Sequence, residues 1–218
     1  MMLPPNGYYE FELKGRSSGQ IRRRIASLKR RMSHLKRTME HPYYRPTYCP
    51  TEATQLAYTR MYLEVAKAAL NATGEEYEPT EAELSAMYFK NGIESISRIT
   101  LAVKDLSDGT CAEYIARLGD RLDLEVNADR GISISDNRPL SRKEFLSSLD
   151  TLHIGEWRRK YGTARYGVII FGGTSWSINI EYRDGRPSFV SGGCNAHPHN
   201  FGEFAELFGI VRTWSPAC

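Results

Sequence analysis

Cys194, His197 and His199 fall within six residues of one another in SGGCNAHPHNF, and their types could hold a soft metal. Zinc takes four protein ligands in a structural site, or three and a water in a catalytic one. The other histidines, His34, His41 and His153, bring no spacing that supplies a fourth ligand, and Pro198 restricts the backbone between two of the candidates. The same stretch also offers Cys194 as a nucleophile with His197 as its base, but a thiolate reacts only in an electropositive, accessible setting, and none is visible in the sequence. A turn carrying polar side chains is the simpler expectation, with no metal, no cofactor and no catalytic residue. An enzyme built on Cys194, His197 and His199 is the alternative. FGGTS, at 171–175, lacks the lysine of a phosphate loop and reads as a bend.

A second chemistry belongs to IRRRIASLKRRMSHLKRTMEH, residues 21 to 41. Arg22, Arg23, Arg24, Lys29, Arg30, Arg31, Lys36 and Arg37 stand there against Glu40, a local charge of +7 in a chain whose total is +3, so the remainder sums to −4. This asymmetry points to a basic arm that meets an anionic partner. Ile21, Ile25, Leu28, Met32, Leu35 and Met39 repeat at intervals of four and three, the seam of an amphipathic helix. With Ile21 at position d, the cations occupy e (Arg22, Lys29, Lys36), f (Arg23, Arg30, Arg37) and g (Arg24, Arg31). A parallel self-pair would set e and g cations against each other, so the seam is expected to pack on the chain's own helices or on another protein.

Phosphate is the partner this composition suits best, because arginine forks two oxygens and each contact releases counterions. The following YYRPTY adds Tyr43, Tyr44, Arg45 and Tyr48, rings and charge interleaved as a stacking platform for unpaired bases requires. The expected function is a non-enzymatic binder of nucleic acid or ribonucleoprotein. A regulator or inhibitor of a bacterial nucleic-acid machine, such as a defence or CRISPR-type effector, fits this description. A protein-interaction adaptor for an acidic partner is the alternative, and a solvated polar face with tyrosines plugging a bundle is the plainest account.

These residues need elements to position them. Ser17 and Gln20 form a capping pattern that starts the basic helix, and Pro42 ends it. YYEFELKG ahead of it alternates like a short strand, and residues 42–50 form an irregular Tyr/Pro connector. Further helices are expected from Thr51 to Gly74, from Thr80 (with Glu83) to Asn91, over Ile93, Ile96, Thr100 and Val103, and from Thr110 with Glu113. RITLAV within the third of these also suits a strand. After Leu122 the period shortens. Leu122, Leu124 and Val126, then Ile132 and Ile134, suggest a hairpin. Ser141 and Glu144 cap a helix, and Trp176, Ile178, Ile180 and Tyr182 share one face of a strand that ends at an Asp184-Gly185 turn. Asn200 and Glu203 open a last short helix.

The fold expected is α+β. A helical domain over 1–121 carries the basic helix, and residues 122–218 form a module of antiparallel sheet with short helices. Of the 218 residues 41% are hydrophobic, enough for a core. Four cysteines without paired spacing favour reduced thiols. The longest apolar run, YGVIIFGG, is too short to span a membrane and the N-terminus lacks a signal-like h-region, so no membrane partner and a cytoplasmic location are expected.

FLSSLDTLHIGEWRRKY, GGTSWSINIEYRDG and SGGCNAHPHNFGEFAELFG together resemble a C-terminal module of uncharacterised bacterial proteins, here spanning 141–209. Trp157, Trp176, Asn195, Pro198, Asn200 and Phe201 carry the likeness. The resemblance implies no activity. It implies structural roles for these residues, Asn195 satisfying a turn and Asn200 capping a helix. It also implies no shared metal site, because that module has small or aromatic residues where this chain has Cys194, His197 and His199.

Overall fold

The computed structural model describes residues 2–46, 49–128 and 140–210. The chain divides into two compact units, Met1–Pro79 and Thr80–Cys218.

The first unit is helical. Helix α1 (Pro5–Tyr8) begins with proline in its first turn, where a missing N–H costs nothing, and runs on as a π-helical turn over Tyr9–Leu13. The strand expected for YYEFELKG is therefore absent. Tyr8 and Leu13, five residues apart, are the buried pair, while Phe11 is 74% exposed. A strand would have placed Phe11 and Leu13 on one face. Helix α2 (Ser18–Met39) starts at the Ser17–Gln20 capping box, with the Ser17 amide donating to Gln20 Oε1 at 2.9 Å. Helix α3 (Glu52–Ala72) is capped by Thr51, whose hydroxyl accepts from the Thr54 amide at 3.2 Å. Ile21, Ile25 and Leu28 of α2 meet Leu63, Ala66 and Leu70 of α3, and Leu35 and Met39 meet Leu56. The seam is thus buried within its own unit.

The second unit is two-layered. Helix α4 (Glu81–Gly92) opens at the Thr80–Glu83 capping box. Strands β1 (Ile96–Asp105), β2 (Cys111–Leu118) and β3 (Leu122–Ala128) follow, then α5 (Arg142–Thr151), β4 (Lys160–Gly162), β5 (Thr174–Tyr182), β6 (Phe189–Cys194) and α6 (Phe201–Glu206). The sheet order is β3-β2-β1-β5-β6-β4, antiparallel except where β4 runs parallel to β6. Ile99, Leu101 and Val103 of β1 and Trp176, Ile178 and Ile180 of β5 face the core, closed by Phe89 of α4, Phe145 and Leu149 of α5, and Phe201 and Phe204 of α6.

Three expectations change here. The helix over Ile93, Ile96, Thr100 and Val103 is largely strand β1, whose inward residues alternate. The helix expected from Thr110 is strand β2, where Ala112, Tyr114, Ala116 and Leu118 are buried and Thr110 serves the preceding turn, its hydroxyl donating to Asp108 Oδ1 at 2.6 Å. A local capping pattern yields to strand pairing on both sides of β1. The boundary placed at residue 121 falls in the turn between β2 and β3, inside one continuous sheet, and the units part instead at Pro79. β3 pairs with β2 over Leu122–Ala128, and Ile132 and Ile134 lie outside the described residues.

Candidate nucleic-acid interface

With the apolar seam covered, the cations of α2 separate according to heptad position. At e, Arg22 Nη2 meets Glu75 Oε2 at 2.7 Å, and Lys29 Nζ lies 5.2 Å from the centre of the Tyr77 ring, which Lys67 also approaches at 5.0 Å. Lys36 is half-buried. The Ser18 hydroxyl, and then the Arg22 guanidinium, hold the Glu75 carboxyl below its usual range. At g, Arg24 Nη2 meets Glu12 Oε2 at 2.9 Å while its Nε donates to the Tyr8 hydroxyl at 2.8 Å. Burial raises the Tyr8 phenol and Arg24 offsets part of that rise. Arg31 Nη2 donates to Gln55 Oε1 at 3.1 Å.

The f positions differ. Arg23, Arg30 and Arg37 are exposed, and among the described residues none of them meets a carboxylate; Arg23 Nε donates only to the Gly19 carbonyl of its own helix at 3.3 Å. Seven residues of helix rise about 10.5 Å, so the three form one file roughly 21 Å long. That spacing exceeds the Debye length of about 8 Å at physiological salt, so the three act there as separate contacts in line and their fields overlap only at lower salt. The sequence alone suggested charge spread in three directions. The fold concentrates it into a ridge.

Beside this ridge, Arg30, Arg31, His34 and Thr38 face Glu52 and Gln55 across an open groove of about 580 Å³ floored by Leu35. The connector supplies less than its tyrosines promised. Tyr43 is 63% exposed and packs obliquely on His41, with ring centres 5.9 Å apart. Tyr44 instead packs against the Leu35–Met39–Leu56 cluster and donates its hydroxyl to the buried Glu52 carboxylate at 2.6 Å. Burial, reinforced by Glu52, pushes the Tyr44 phenol up to about 12. Arg45 is exposed, and Tyr48 lies outside the described residues. Among the described residues of the connector, Tyr43 is the ring open for stacking and Tyr44 is not.

The stretch holding Cys194, His197 and His199 is brought together as packing, not as a ligand set. Cys194 ends β6 opposite Ser175, and the His197 ring stacks on Phe201 with centres 5.6 Å apart. Among the described residues no group of three His, Cys, Asp or Glu side chains is gathered to hold a metal ion. Asn195 satisfies its turn as expected: at φ 53° its Oδ1 accepts from the Thr174 amide and its Nδ2 donates to the Gly172 carbonyl, both at 2.8 Å. Asn200 sits at the N-cap of α6, but its side chain makes no cap. It bridges instead, accepting from Trp157 Nε1 at 3.1 Å and donating to the Leu152 carbonyl at 2.6 Å.

Sequence reasoning missed Glu12 and Glu75, the carboxylates that quench the flanks of the basic helix. Nothing local marks either as a partner for a residue more than ten positions away. Among the described residues no helix is long and apolar enough to cross a membrane. Comparison with protein-family models, curated proteins and solved structures yields no match to this chain. The functional reading therefore rests on the geometry above.

Proposed function

We propose that the protein binds nucleic acid, or the nucleic acid of a ribonucleoprotein, by laying the outer ridge of α2 along a phosphate backbone. The observation that carries this reading is the file of Arg23, Arg30 and Arg37, exposed and without a carboxylate among the described residues. Arginine at such positions pairs two phosphate oxygens at once, and a file with one accessible ring beside it favours backbone contact over base readout. Contact of this kind is independent of sequence and strongly salt-dependent. A regulator or inhibitor that occupies the nucleic-acid path of a bacterial machine would use such a surface.

The test is a salt titration of the full-length protein with a generic oligonucleotide. Three phosphate contacts give a slope of log affinity against log salt of about −2 on single strands and about −2.7 on duplex. Replacing Arg23, Arg30 and Arg37 together by alanine flattens that slope and leaves the thermal melt within about 0.5 kcal/mol of wild type, as for other surface changes. A slope unaltered by the triple substitution would remove the ridge from the interface. Absence of binding at low salt would favour an acidic protein as its partner.

A further inference from the structure

The longest apolar run of the chain does not enter the core. Within residues 168–171, Ile169 is 80% exposed and Phe171 93% exposed. The loop that carries them is nevertheless tied down. Asn195 braces its base through the Thr174 amide and the Gly172 carbonyl, the Leu106 amide donates to the Gly173 carbonyl at 2.7 Å, and the Val168 amide donates to the Thr163 carbonyl at 3.3 Å. Gly172 and Gly173 stand at φ 72° and 84°, and a Cβ on Gly173 would overlap the Asn195 side chain, so the brace closes only with glycine there. Two large apolar side chains are thus held in water by backbone bonds, which removes the ordering cost that a slack loop would carry on docking.

We propose that residues 168–171 are a preorganised anchor that inserts into an apolar pocket with an acidic rim on a partner protein. Shape, area and charge select that occupant. At 80% and 93% exposure the two side chains stand clear of the surface, and a second copy would meet them across a two-fold axis with the same cationic segment, like charge against like charge. Ile169 and Phe171 offer on the order of 300 Å² between them, against roughly 800 Å² per partner in a stable interface, so the tip is one deep contact of a larger heterologous surface. The two side chains also carry fewer carbons than a single myristoyl chain, which alone holds a protein on a bilayer only marginally. The segment leading to the tip is cationic, since residues 158–173 contain Arg158, Arg159, Lys160 and Arg165 and no carboxylate, against Asp105 and Asp108 on the turn whose Leu106 amide meets the Gly173 carbonyl; the balance stays positive, and complementarity places acidic groups around the pocket. This inference concerns the second unit and stands apart from the nucleic-acid reading.

The experiment installs benzoylphenylalanine at position 171 of the full-length protein and irradiates it in a lysate of the native host, with the exposed Val190 position as control. The expected result is one adduct with a different protein, specific to position 171. That protein, once purified, binds the wild-type chain at least about 30-fold more tightly than the Phe171→Ala variant, as for a buried aromatic hot spot. It also loses affinity as salt rises. An adduct of two copies of this chain overturns the proposal, as does absence of any adduct specific to position 171. Flotation with phosphatidylcholine–phosphatidylserine vesicles that Phe171→Ala abolishes assigns the tip to a membrane instead, and an affinity indifferent to Phe171→Ala removes it from the interface.

Discussion

In residues 1–79 the polar side chains lie mostly on the outside of a helix pair, where cations are tethered to carboxylates in the open. In residues 80–218 several run through the interior, where Trp157, Trp176, Asn200 and Ser191 spend their polar atoms on buried partners. Exposed ion pairs contribute about 0–1 kcal/mol each, so Arg22–Glu75 and Arg24–Glu12 do little for stability. Their effect is to quench the flanks of α2 and leave its outer file as the accessible charge. Buried bonds cost more to lose and fix geometry. They hold the aromatic cluster of Trp157, Trp176, Phe201 and Phe204 together, and a similar brace at Asn195 shapes the apolar loop. The first unit buries its seam and leaves a file of arginines open on its surface; the second uses internal polar groups to hold an exposed loop.

The sharpest way to break this comparison is Asn200→Ala. It strands the Trp157 N–H and the Leu152 carbonyl in the core, and is expected to cost about 2–5 kcal/mol in denaturant unfolding. Hydrogen exchange should show the loss confined to the second unit, with oligonucleotide affinity unchanged. Loss of protection in α2 as well would mean that the two units do not separate energetically.

A smaller effect is expected from Tyr44→Phe, which removes a bond to a charged, buried acceptor and costs about 1.5 kcal/mol in the first unit. The phenols of Tyr44 and Tyr182 are both pushed up to about 12, in each case chiefly by burial. Their folded values lie above the unfolded value of about 10, so the stability they contribute is fully present below pH 10 and is lost as pH rises toward 12. Tyr44→Phe should reduce the alkaline loss in the first unit, leaving the part that the raised Tyr8 phenol carries, and spare that of the second, as measured by exchange or near-ultraviolet absorbance.

The smallest change sharpens the surface side. Glu75→Gln unpairs Arg22 and should steepen the salt slope by about 0.7–0.9, one added phosphate contact, with little change in the thermal melt because the pair is exposed. Acid should act in the same direction. The folded value of Glu75 is depressed, so its pairing holds above the ordinary carboxylate range of about 4.3 and is lost as pH falls through the lower folded value. A slope insensitive to Glu75→Gln would show that Arg22 never reaches the partner.

Much of the first unit was legible because its signals are local. The Ser17–Gln20 box, the repeat from Ile21 to Met39, the Thr51 cap and the breaks at Pro42 and Gly74 each act within a few residues along the chain. Trp176, Ile178 and Ile180, with the turn at Asp184-Gly185, were equally plain. β1 and β2 were not, because Thr110 and Glu113 mimic a helix start and only pairing with β5 and β3 overrules them. Among the candidate site residues, the sequence named the cations of α2 but not the subset left open.

What the sequence determined by itself is the α+β class, the existence and extent of the basic helix and the face that must be buried, since periodicity and capping depend on near neighbours. Tertiary structure alone decided which arginines keep their charge available, that Tyr44 serves the fold, and that an apolar run stands in solvent on an asparagine brace. Each of these depends on a partner brought from a distant part of the chain, and no local pattern encodes where the chain folds back.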